Sequence, residues 1–414
     1  MTEQIHDGTA EALVAAALQA APVFDGHNDL ASRLREVSGY GVEGLDTGRS
    51  DLHTDIPRLR AGGVGAQFWS VFVPSSITEP EAVVATLEQV DAIYRLAARY
   101  PDTFAIAYTA DDVSRVMADG RIASLLGIEG GHSIATSLGA LRSFARLGVR
   151  YMTLTHNDNT AWADSATDVP KVNGLDDVGR AIVAEMNRIG VLVDLSHVAA
   201  TTMHAAIDIS TAPVIFSHSS CRALCGHPRN APDDVLDRLA GNGGVLQLTF
   251  VPSFISPEVA DWREAAEAER LRLDLQVHDW NWPRAPRPGE SAEALAAQIA
   301  EETVAPAQDE RFAAWLADHP RPEATIDQVA DHVEHAREVA GIDHIGLGGD
   351  YDGVDHQPVG LDDVASYPRL LRALADRHWS TDDLAALTGR NVLRVLRAAE
   401  DAATEPLWPT SALR

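Results

Sequence analysis

The sequence predicts an α/β protein built as a (β/α)8 TIM-type barrel, with a long insertion after strand seven and helices at the C-terminus. Eight short apolar runs recur, each followed by a helical pattern, and strands buried in a parallel sheet have this continuous apolar character. Eight such units favour a closed barrel over an open doubly wound sheet, and no G-x-G-x-x-G motif follows the first run. The predicted strands are Val23–Asp25, Gly65–Val73, Ala123–Ile128, Tyr151–Thr155, Val191–Leu195, Pro213–Ser217, Gly244–Phe250 and His344–Gly348.

Helices between these strands are indicated by apolar residues at intervals of three and four. One such stripe covers Val83–Ala97, and another covers Val178–Ile189. Gly190 follows the second stripe directly, where a glycine can end a helix in the left-handed conformation. The pattern therefore predicts the helical layer that a parallel barrel requires.

The regular alternation is broken between residues 255 and 325. This stretch is rich in Glu, Ala and Arg and then contains HDWNWPRAPRPGES, which indicates a helix followed by a Pro-rich excursion. We interpret it as an insertion after strand seven, within a single domain that covers residues 1–414, and it could narrow a site at that strand end. In the tail, Val364–Glu400 predicts two helices, and Ser380 with Asp383 indicates a capping box at the start of the second.

The composition argues against nucleic-acid and membrane partners. The chain has 33 basic and 61 acidic residues, a net charge of −28, so its surface would repel phosphate backbones and anionic lipid. We expect no signal peptide, no apolar run of the roughly 20 residues that span a bilayer, and no C-terminal anchor signal. Cys221 and Cys225 are the two cysteines, which we predict to be buried free thiols. A cytoplasmic location is the prediction.

Metal-ligand side chains follow several of the predicted strands. A single histidine at such a place is more often structural than ligating, but the joint placement at strand ends is far less expected by chance. The carboxyl ends of barrel strands converge on one face, where the active sites of this fold lie. The candidates are His27 and Asp29 after strand one, Glu129 after strand three, His197 after strand five, His218 after strand six and Asp350 after strand eight.

The residue types in this set indicate a metal centre. His27 and Asp29 are two apart in an extended segment, so both side chains point the same way and can reach one metal. Imidazoles and carboxylates without thiolates are typical of zinc or a similar cation. One carboxylate among three histidines and an aspartate fits a bridge between two metals, and such pairs generate hydroxide at neutral pH.

Several longer motifs, in order along the chain, resemble the membrane (renal-type) dipeptidases and their bacterial relatives, which are zinc metallopeptidases of the amidohydrolase-like barrels. They run from about Val23 to Glu400 and include DGHNDL, GIEGGHS, MTLTHNDNTAWADS, VDLSH, FSHSSCRALCGHPRNAPDDVL and GLGGDYDGV. The resemblance therefore covers nearly the whole chain.

The resemblance implies a role for each candidate. His156 would hydrogen-bond the oxygen of the tetrahedral intermediate, Arg229 would hold a substrate carboxylate, and Asp350 would carry a proton from the bridging water to the leaving amine. Two zinc ions per chain would be bound, one by His27 and Asp29 and the other by His197 and His218, with Glu129 as the bridge.

Each non-ligand role has a plainer alternative. His156 could only cap a strand, Arg229 could pair with Asp233 or Asp234 at the surface, and Asp350 with Asp352 could only shape a Gly-rich turn. We interpret the remaining histidines as structural, with the pair on a predicted helix on its solvated face. They are His132, His227, and the helical pair His332 and His335.

The implied reaction is hydrolysis of the peptide bond of a dipeptide with a free C-terminal carboxylate, including one with a C-terminal D-residue, through a metal-bridged hydroxide. A second possibility is an amidohydrolase that acts on N-acyl amino acids or lactones at the same centre. A non-enzyme possibility is a metal-binding scaffold barrel. The expected partner is a small dipeptide, with no nucleic acid and no membrane, and a homodimer is left open.

Overall fold

The computed structural model describes residues 3–77, 79–275 and 309–407, with side chains from residue 9 onward. Its strands form a parallel barrel in which β2 pairs with β4 and so closes the ring of eight, β2-β1-β9-β8-β7-β6-β5-β4. The strands are β1 (Val23–Asn28), β2 (Val64–Phe72), β3 (Phe104–Ile106), β4 (Ile122–Glu129), β5 (Val149–Thr153), β6 (Leu192–Asp194), β7 (Ile215–Ser219), β8 (Val245–Leu248) and β9 (Ile345–Leu347).

All eight predicted strands are confirmed, with differences of a few residues at their ends. A ninth strand, β3, was not predicted; it pairs with the start of β4 and lies outside the closed ring. It has three residues and is only partly buried, so it lacks the apolar run that marks the other strands.

Helices surround the barrel, and those predicted from apolar stripes are confirmed. Val83–Ala97 lies in α4, and Val178–Ile189 lies in α7, which ends at Gly190 with φ 78°. The helices are α1 (Glu3–Ala20), α2 (Leu30–Ser38), α3 (Ile56–Ala61), α4 (Glu79–Arg99), α5 (Ala110–Ala118), α6 (Leu138–Arg146), α7 (Asp177–Ile189), α8 (Ala200–Ile209), α9 (Asp233–Asn242), α10 (Pro252–Ile255), α11 (Pro257–Arg272), α12 (Glu310–Asp318), α13 (Ile326–Ala340), α14 (Tyr367–Asp376), α15 (Thr381–Ala385) and α16 (Asn391–Ala402).

The region after β8 contains α10, α11 and α12 before the chain returns to the barrel through α13. The HDWNWPRAPRPGES segment predicted as a Pro-rich excursion lies outside the described residues. The assignment of the whole chain to one domain with an insertion at 255–325 stays a prediction. Within the described part of the chain, no helix is long and apolar enough to cross a membrane.

The apolar core has two main parts. One lies between the strands and the surrounding helices, and the other joins strand side chains such as Phe24 and Phe68 to Leu396 of α16. Asn391, at the start of that helix, donates to the carbonyl of Ile345 at the start of β9. α16 therefore packs at the amino end of the barrel, which leaves the carboxyl end for a site.

Two local predictions are also confirmed. Ser380 and Asp383 form a capping box at the start of α15, in which each side chain accepts from the other residue's backbone N–H. Cys221 and Cys225 are buried free thiols.

Candidate metal centre

The predicted ligand side chains meet at the carboxyl end of the barrel. His27 lies in β1, Glu129 is the last residue of β4, and His218 lies in β7. Asp29 immediately precedes α2, while His197 follows β6. Each of these residues is at most 6% exposed, so the strand ends bring together five polar side chains with almost no access to water.

Glu129 stands at the centre of the cluster. Its Oε2 lies 3.4 Å from Nε2 of His27, while its Oε1 lies 3.0 Å from Nε2 of His197 and 3.3 Å from Nε2 of His218. Burial alone would raise the pKa of Glu129, but the surrounding imidazoles outweigh it and hold the pKa well below its usual range. The carboxylate is therefore ionised, and its two oxygens face different partners.

Two further carboxylates, those of Asp29 and Asp350, lie near His27. Nε2 of His27 is 3.2 Å from Oδ2 of Asp29 and 3.9 Å from Oδ1 of Asp350. Asp350 has φ 58° and His197 has φ 67°, in the left-handed region that non-glycine residues rarely adopt. Strained backbone of this kind is typical of functional sites, where the fold holds a side chain in place.

The turn after β9 separates the two aspartates that follow that strand. Asp350 points into the cluster, whereas Oδ1 of Asp352 accepts the backbone N–H of His53 at 2.7 Å. Burial, with the nearby charges of Asp29 and Glu129, raises the pKa of Asp350 well above its usual value. Bound cations would oppose that rise because they favour the carboxylate.

The arrangement fits divalent cations. Three groups of buried side chains could each hold a metal ion, because the ligand atoms within each group lie within 4.8 Å of one another. Ligands of one tetrahedral zinc are about 3.4 Å apart, close to the 3.0–3.4 Å separations around Glu129. Nε2 of His27 and Oδ1 of Asp29 are buried without a hydrogen-bond partner among the described residues, as expected of atoms that bind a cation. The groups are His27, Glu129 and His218; Glu129, His156 and His197; and His27, Asp29 and Asp350.

Buried hydrogen bonds fix the orientation of two imidazoles. The hydroxyl of Ser217 lies 2.6 Å from Oδ2 of Asp194 and 2.8 Å from Nδ1 of His218. Because the carboxylate only accepts, the single hydroxyl proton goes to Asp194, and Ser217 accepts from Nδ1–H of His218. The Nε2 lone pair of His218 then faces the cluster, which is the form that binds a metal.

Tyr151 contacts the ring of His27 as Ser217 contacts the ring of His218. Its hydroxyl lies 2.9 Å from Nδ1 of His27, so it accepts from that nitrogen when Nε2 is free to bind a cation. A Cβ at Gly127 would lie 1.9 Å from the Tyr151 ring, so only glycine leaves room for it. Tyr151, Asp194 and Ser217 were not predicted from the sequence as site residues. Asp194 is the one charged residue of the otherwise apolar strand β6, which is a signal that could have indicated it, whereas β5 and β7 contain several polar residues.

His156 lies at the rim of the cluster. It is 8% exposed, and its Nε2 lies 3.8 Å from Oε1 of Glu129. Burial lowers its pKa to about 4, so the ring is neutral at physiological pH and one nitrogen carries a proton to donate. The predicted oxyanion donor is thus near the centre, and its position also allows a ligand role.

Arg229 is a buried cation beside the cluster. Its guanidinium donates to Oγ of Ser219 and to the carbonyl of His218, each at 3.4 Å, and packs over the ring of Phe254 at 5.2 Å. Its Nε has no hydrogen-bond partner, and the guanidinium forms no ion pair in the described part of the chain. Burial lowers its pKa to about 10, so it stays charged. Among the described residues, Arg229 therefore does not form the alternative surface pair with Asp233 or Asp234.

A cavity of about 430 Å³ opens onto this centre. It is large enough for a small peptide and is lined at its base by the cluster. Four of the five predicted ligands line it, all except His27, together with Asp350, His156, Arg229 and other polar side chains. The lining includes Asp29, Glu129, His156, Asp158, His197, His218, His227, Arg229, Phe254 and Asp350.

The other histidines have structural contacts. Nε2 of His132 bonds the carbonyl of Val73 at 2.9 Å. His332 is 1% exposed, and its ring nitrogens bond the N–H of Cys221 and the carbonyl of Ile255. The prediction of a solvated face is therefore wrong for His332, because it faces the core while His335 is partly exposed.

His227, which we interpreted as structural, lies beside the cluster. It lines the site cavity and packs on the ring of Phe254 with 4.4 Å between ring centroids. Its Nδ1 accepts the backbone N–H of Arg229 at 3.2 Å, and burial lowers its pKa to about 3. It therefore supports the segment that carries Arg229.

Comparisons with known proteins agree with this architecture. The family model described as membrane dipeptidase (peptidase family M19) matches residues 11–409. An uncharacterized dipeptidase of Schizosaccharomyces pombe is 41% identical over 92% of this chain and 81% of that protein. Dipeptidase verJ of Clonostachys rogersoniana is 38% identical over 92% of this chain and 84% of that protein.

Solved structures share the fold at lower identity. The probable dipeptidase PvdM of Pseudomonas aeruginosa superposes with a TM-score of 0.76 and 22% identity, over 95% of this chain and 99% of that chain. A metallo peptidase of Rhodobacter sphaeroides, solved with a phosphinate mimic of the dipeptide L-Ala-D-Ala, gives a TM-score of 0.72 and 23% identity. That match covers 92% of this chain and 99% of that chain.

Proposed function

Because the chain belongs to the membrane dipeptidase family, peptidase family M19, we propose that this hydrolase cleaves dipeptides with a free C-terminal carboxylate at a two-zinc centre. The 41% identity to a fungal protein described as a dipeptidase, over most of both chains, supports the choice of substrate class. The single observation that carries the proposal is the ionised Glu129 between His27 on one side and His197 with His218 on the other.

The proposed ligands divide into two sets about Glu129. His27 and Asp29 would hold one zinc, and His197 and His218 would hold the other, each set with one oxygen of the shared carboxylate. Two such cations would supply Lewis-acid polarisation of the substrate carbonyl and of a water. Ser217 and Tyr151, through Nδ1 of the two imidazoles, would keep the ligating nitrogens unprotonated.

Asp350 and His156 are the proposed proton-handling and oxyanion groups. Asp350 faces the cavity 3.9 Å from His27 and would accept a proton from water and return it to the leaving amine. His156, neutral at physiological pH, would donate a hydrogen bond to the oxygen that gains charge during attack. Both roles need only side chains that already line the cavity.

Arg229 is the proposed clamp for the substrate carboxylate. A buried guanidinium without an ion-pair partner in the described residues is stabilised by a carboxylate that enters the cavity. Neither the contact between Arg229 and the C-terminal carboxylate nor the contact between the centre and the carbonyl involves the side chain of the substrate's second residue. We therefore propose that a C-terminal D-residue is accepted, as the L-Ala-D-Ala mimic bound by the Rhodobacter sphaeroides relative also suggests.

A substrate panel tests the proposal. Zinc-loaded protein should hydrolyse L-Ala-L-Ala and L-Ala-D-Ala and should be much slower on N-acetyl-alanine and on a simple lactone. Turnover confined to the N-acyl amino acid or lactone would favour the amidohydrolase alternative, and no turnover of any substrate would favour the scaffold. We also propose a cytoplasmic location, which localisation of the tagged chain tests. A measurement of mass in solution decides between a monomer and a homodimer.

A further inference from the structure

A second cavity adjoins the metal centre. It has a volume of about 380 Å³ and lies between the turn after β9 and helices α11 and α12, which belong to the region inserted after β8. Several residues line both this space and the site cavity, so the two are adjacent. The shared residues are Val251, Arg263, Glu267, Gly353 and Val354.

The lining of the second cavity combines apolar surface with positive charge. Trp262 and Phe312 supply aromatic faces, and Arg263, Arg270 and Arg321 supply guanidinium groups. Two carboxylates, from Glu267 and Asp355, also line it, so the balance is one net positive charge. In a chain whose net charge is −28, a cavity with this balance is a local reversal of sign.

The guanidinium groups are available to a ligand. Arg270 packs over the Phe312 ring at 4.8 Å, and its Nε is buried without a hydrogen-bond partner among the described residues. Arg263 donates to Oγ of Ser253 at 3.4 Å, which is a weak contact. Within the described ranges, none of the three arginines forms an ion pair with a carboxylate of the chain.

The second cavity lies at the Asp29 and Asp350 end of the centre. A Cβ on the shared residue Gly353 would lie 2.3 Å from carboxylate oxygens of both. Arg229 lies at the other end, where it donates to the carbonyl of His218. A dipeptide with its C-terminal carboxylate on Arg229 and its carbonyl at the centre therefore directs its N-terminal residue toward Gly353.

We propose that the second cavity receives the side chain of the substrate's N-terminal residue and prefers a long side chain that ends in a carboxylate. This inference rests on the proposed dipeptidase function. The apolar wall accommodates the methylene chain, and the guanidinium groups bind the terminal carboxylate. Residues of the inserted region thereby select the substrate without contact with the reacting atoms.

Three dipeptides with C-terminal alanine test the preference. Their N-terminal residues are L-2-aminoadipate, norleucine and lysine, which have similar length but differ in charge. The wild-type kcat/KM should be highest for aminoadipate and lowest for lysine, with about tenfold or more between them. Equal values for all three, with L-Ala-L-Ala also cleaved, would overturn the inference alone. No cleavage of any dipeptide would overturn the proposed function itself.

Substitutions of the arginines that line the second cavity test whether they produce the charge preference. Arg270→Gln and Arg321→Gln should each reduce the aminoadipate advantage, and Arg270→Glu should shift the preference toward lysine, a change that misfolding cannot produce. Arg272→Gln is the matched control, because Arg272 is on the same helix but pairs with Glu269 and lines neither cavity. An unchanged charge preference in all three test variants would overturn the inference.

Discussion

The hydroxyl of Ser217 donates to the buried carboxylate of Asp194 at 2.6 Å. This bond uses the only proton of the hydroxyl, so Ser217 must accept from Nδ1 of His218, 2.8 Å away. Asp194, which contacts His218 through Ser217, therefore determines which ring nitrogen of His218 carries the proton.

Loss of the hydroxyl should weaken the metal centre. We expect Ser217→Ala to lower zinc affinity about 10- to 100-fold, because the His218 ring loses the contact that orients it and keeps Nε2 unprotonated. Competition with a chelator measures this. Ser210→Ala, a partly buried serine at the end of α8, is the control and should keep wild-type affinity. Equal affinities in the two variants would contradict the tautomer argument.

Two zinc ions per chain should bind the wild type. Five ligand-type side chains are too many for one tetrahedral zinc, and Glu129 presents an oxygen to each side. Metal analysis after removal of loosely held ions should approach two equivalents, and Glu129→Gln should lower both affinities because a neutral amide does not balance two dications. A wild-type value that stays at one under zinc saturation would rule out the bridge.

The meeting of the ligands was predictable because the barrel determines it. Residues that follow parallel strands converge whatever their separation along the chain, so His27 and His218 could be placed together from the strand pattern alone. Pairings inside the barrel were not predictable in this way. Nothing in the local sequence indicates that Asp194 faces Ser217, because that contact depends on the register between β6 and β7.

Contacts between distant segments account for the remaining differences. His332 has a helical spacing to His335 that suggested a solvated face, but its partners are Cys221 and Ile255, 111 and 77 residues away. Similarly, the second cavity depends on how α11 and α12 pack beside the turn after β9, and a helical pattern does not specify that packing. Sequence patterns predict elements, whereas burial of a particular side chain depends on tertiary contacts.

Asp350→Asn should separate proton transfer from metal binding. The asparagine keeps the shape of the side chain but cannot accept or return a proton, so kcat should fall about 10²- to 10⁴-fold. Zinc content should stay near the wild-type value, because five other side chains are the proposed ligands. Asp352→Asn is the matched control, since that carboxylate bonds the backbone of His53. Loss of zinc from Asp350→Asn would instead identify Asp350 as a ligand.

Glu400 predicts a pH dependence of stability at the amino end of the barrel. Burial raises its pKa to about 7 from a usual value of 4.5, although it accepts the N–H of Ala110. Between these pH values the folded chain binds more protons than the unfolded chain, so this group makes the free energy of unfolding fall as pH rises. In the metal-free protein, Glu400→Gln should therefore lose less stability than wild type across this window in urea titrations.

The control for that titration is Asp401→Asn, which removes an exposed carboxylate from the next position of α16. Its stability curve should run parallel to that of the wild type. If the Glu400→Gln curve also runs parallel, the carboxyl of Glu400 has the same pKa in the folded and unfolded chain, and burial does not raise it.

The clamp assigned to Arg229 predicts that the free carboxylate of the substrate is essential. A charge-assisted hydrogen bond in a buried site contributes about 1.5–3 kcal/mol, which corresponds to roughly 10- to 150-fold in kcat/KM. We therefore expect wild-type protein to cleave L-Ala-D-Ala that much faster than its C-terminal amide. Arg229→Gln removes the charge but keeps much of the side-chain volume against Phe254, so it should slow the cleavage of the acid, leave that of the amide nearly unchanged and bring the ratio toward one.

The control is Arg238→Gln, on the surface of α9, which should keep the wild-type ratio of acid to amide cleavage. Equal rates on acid and amide in the wild type would reject the clamp, because a buried guanidinium that binds the substrate must distinguish a carboxylate from an amide.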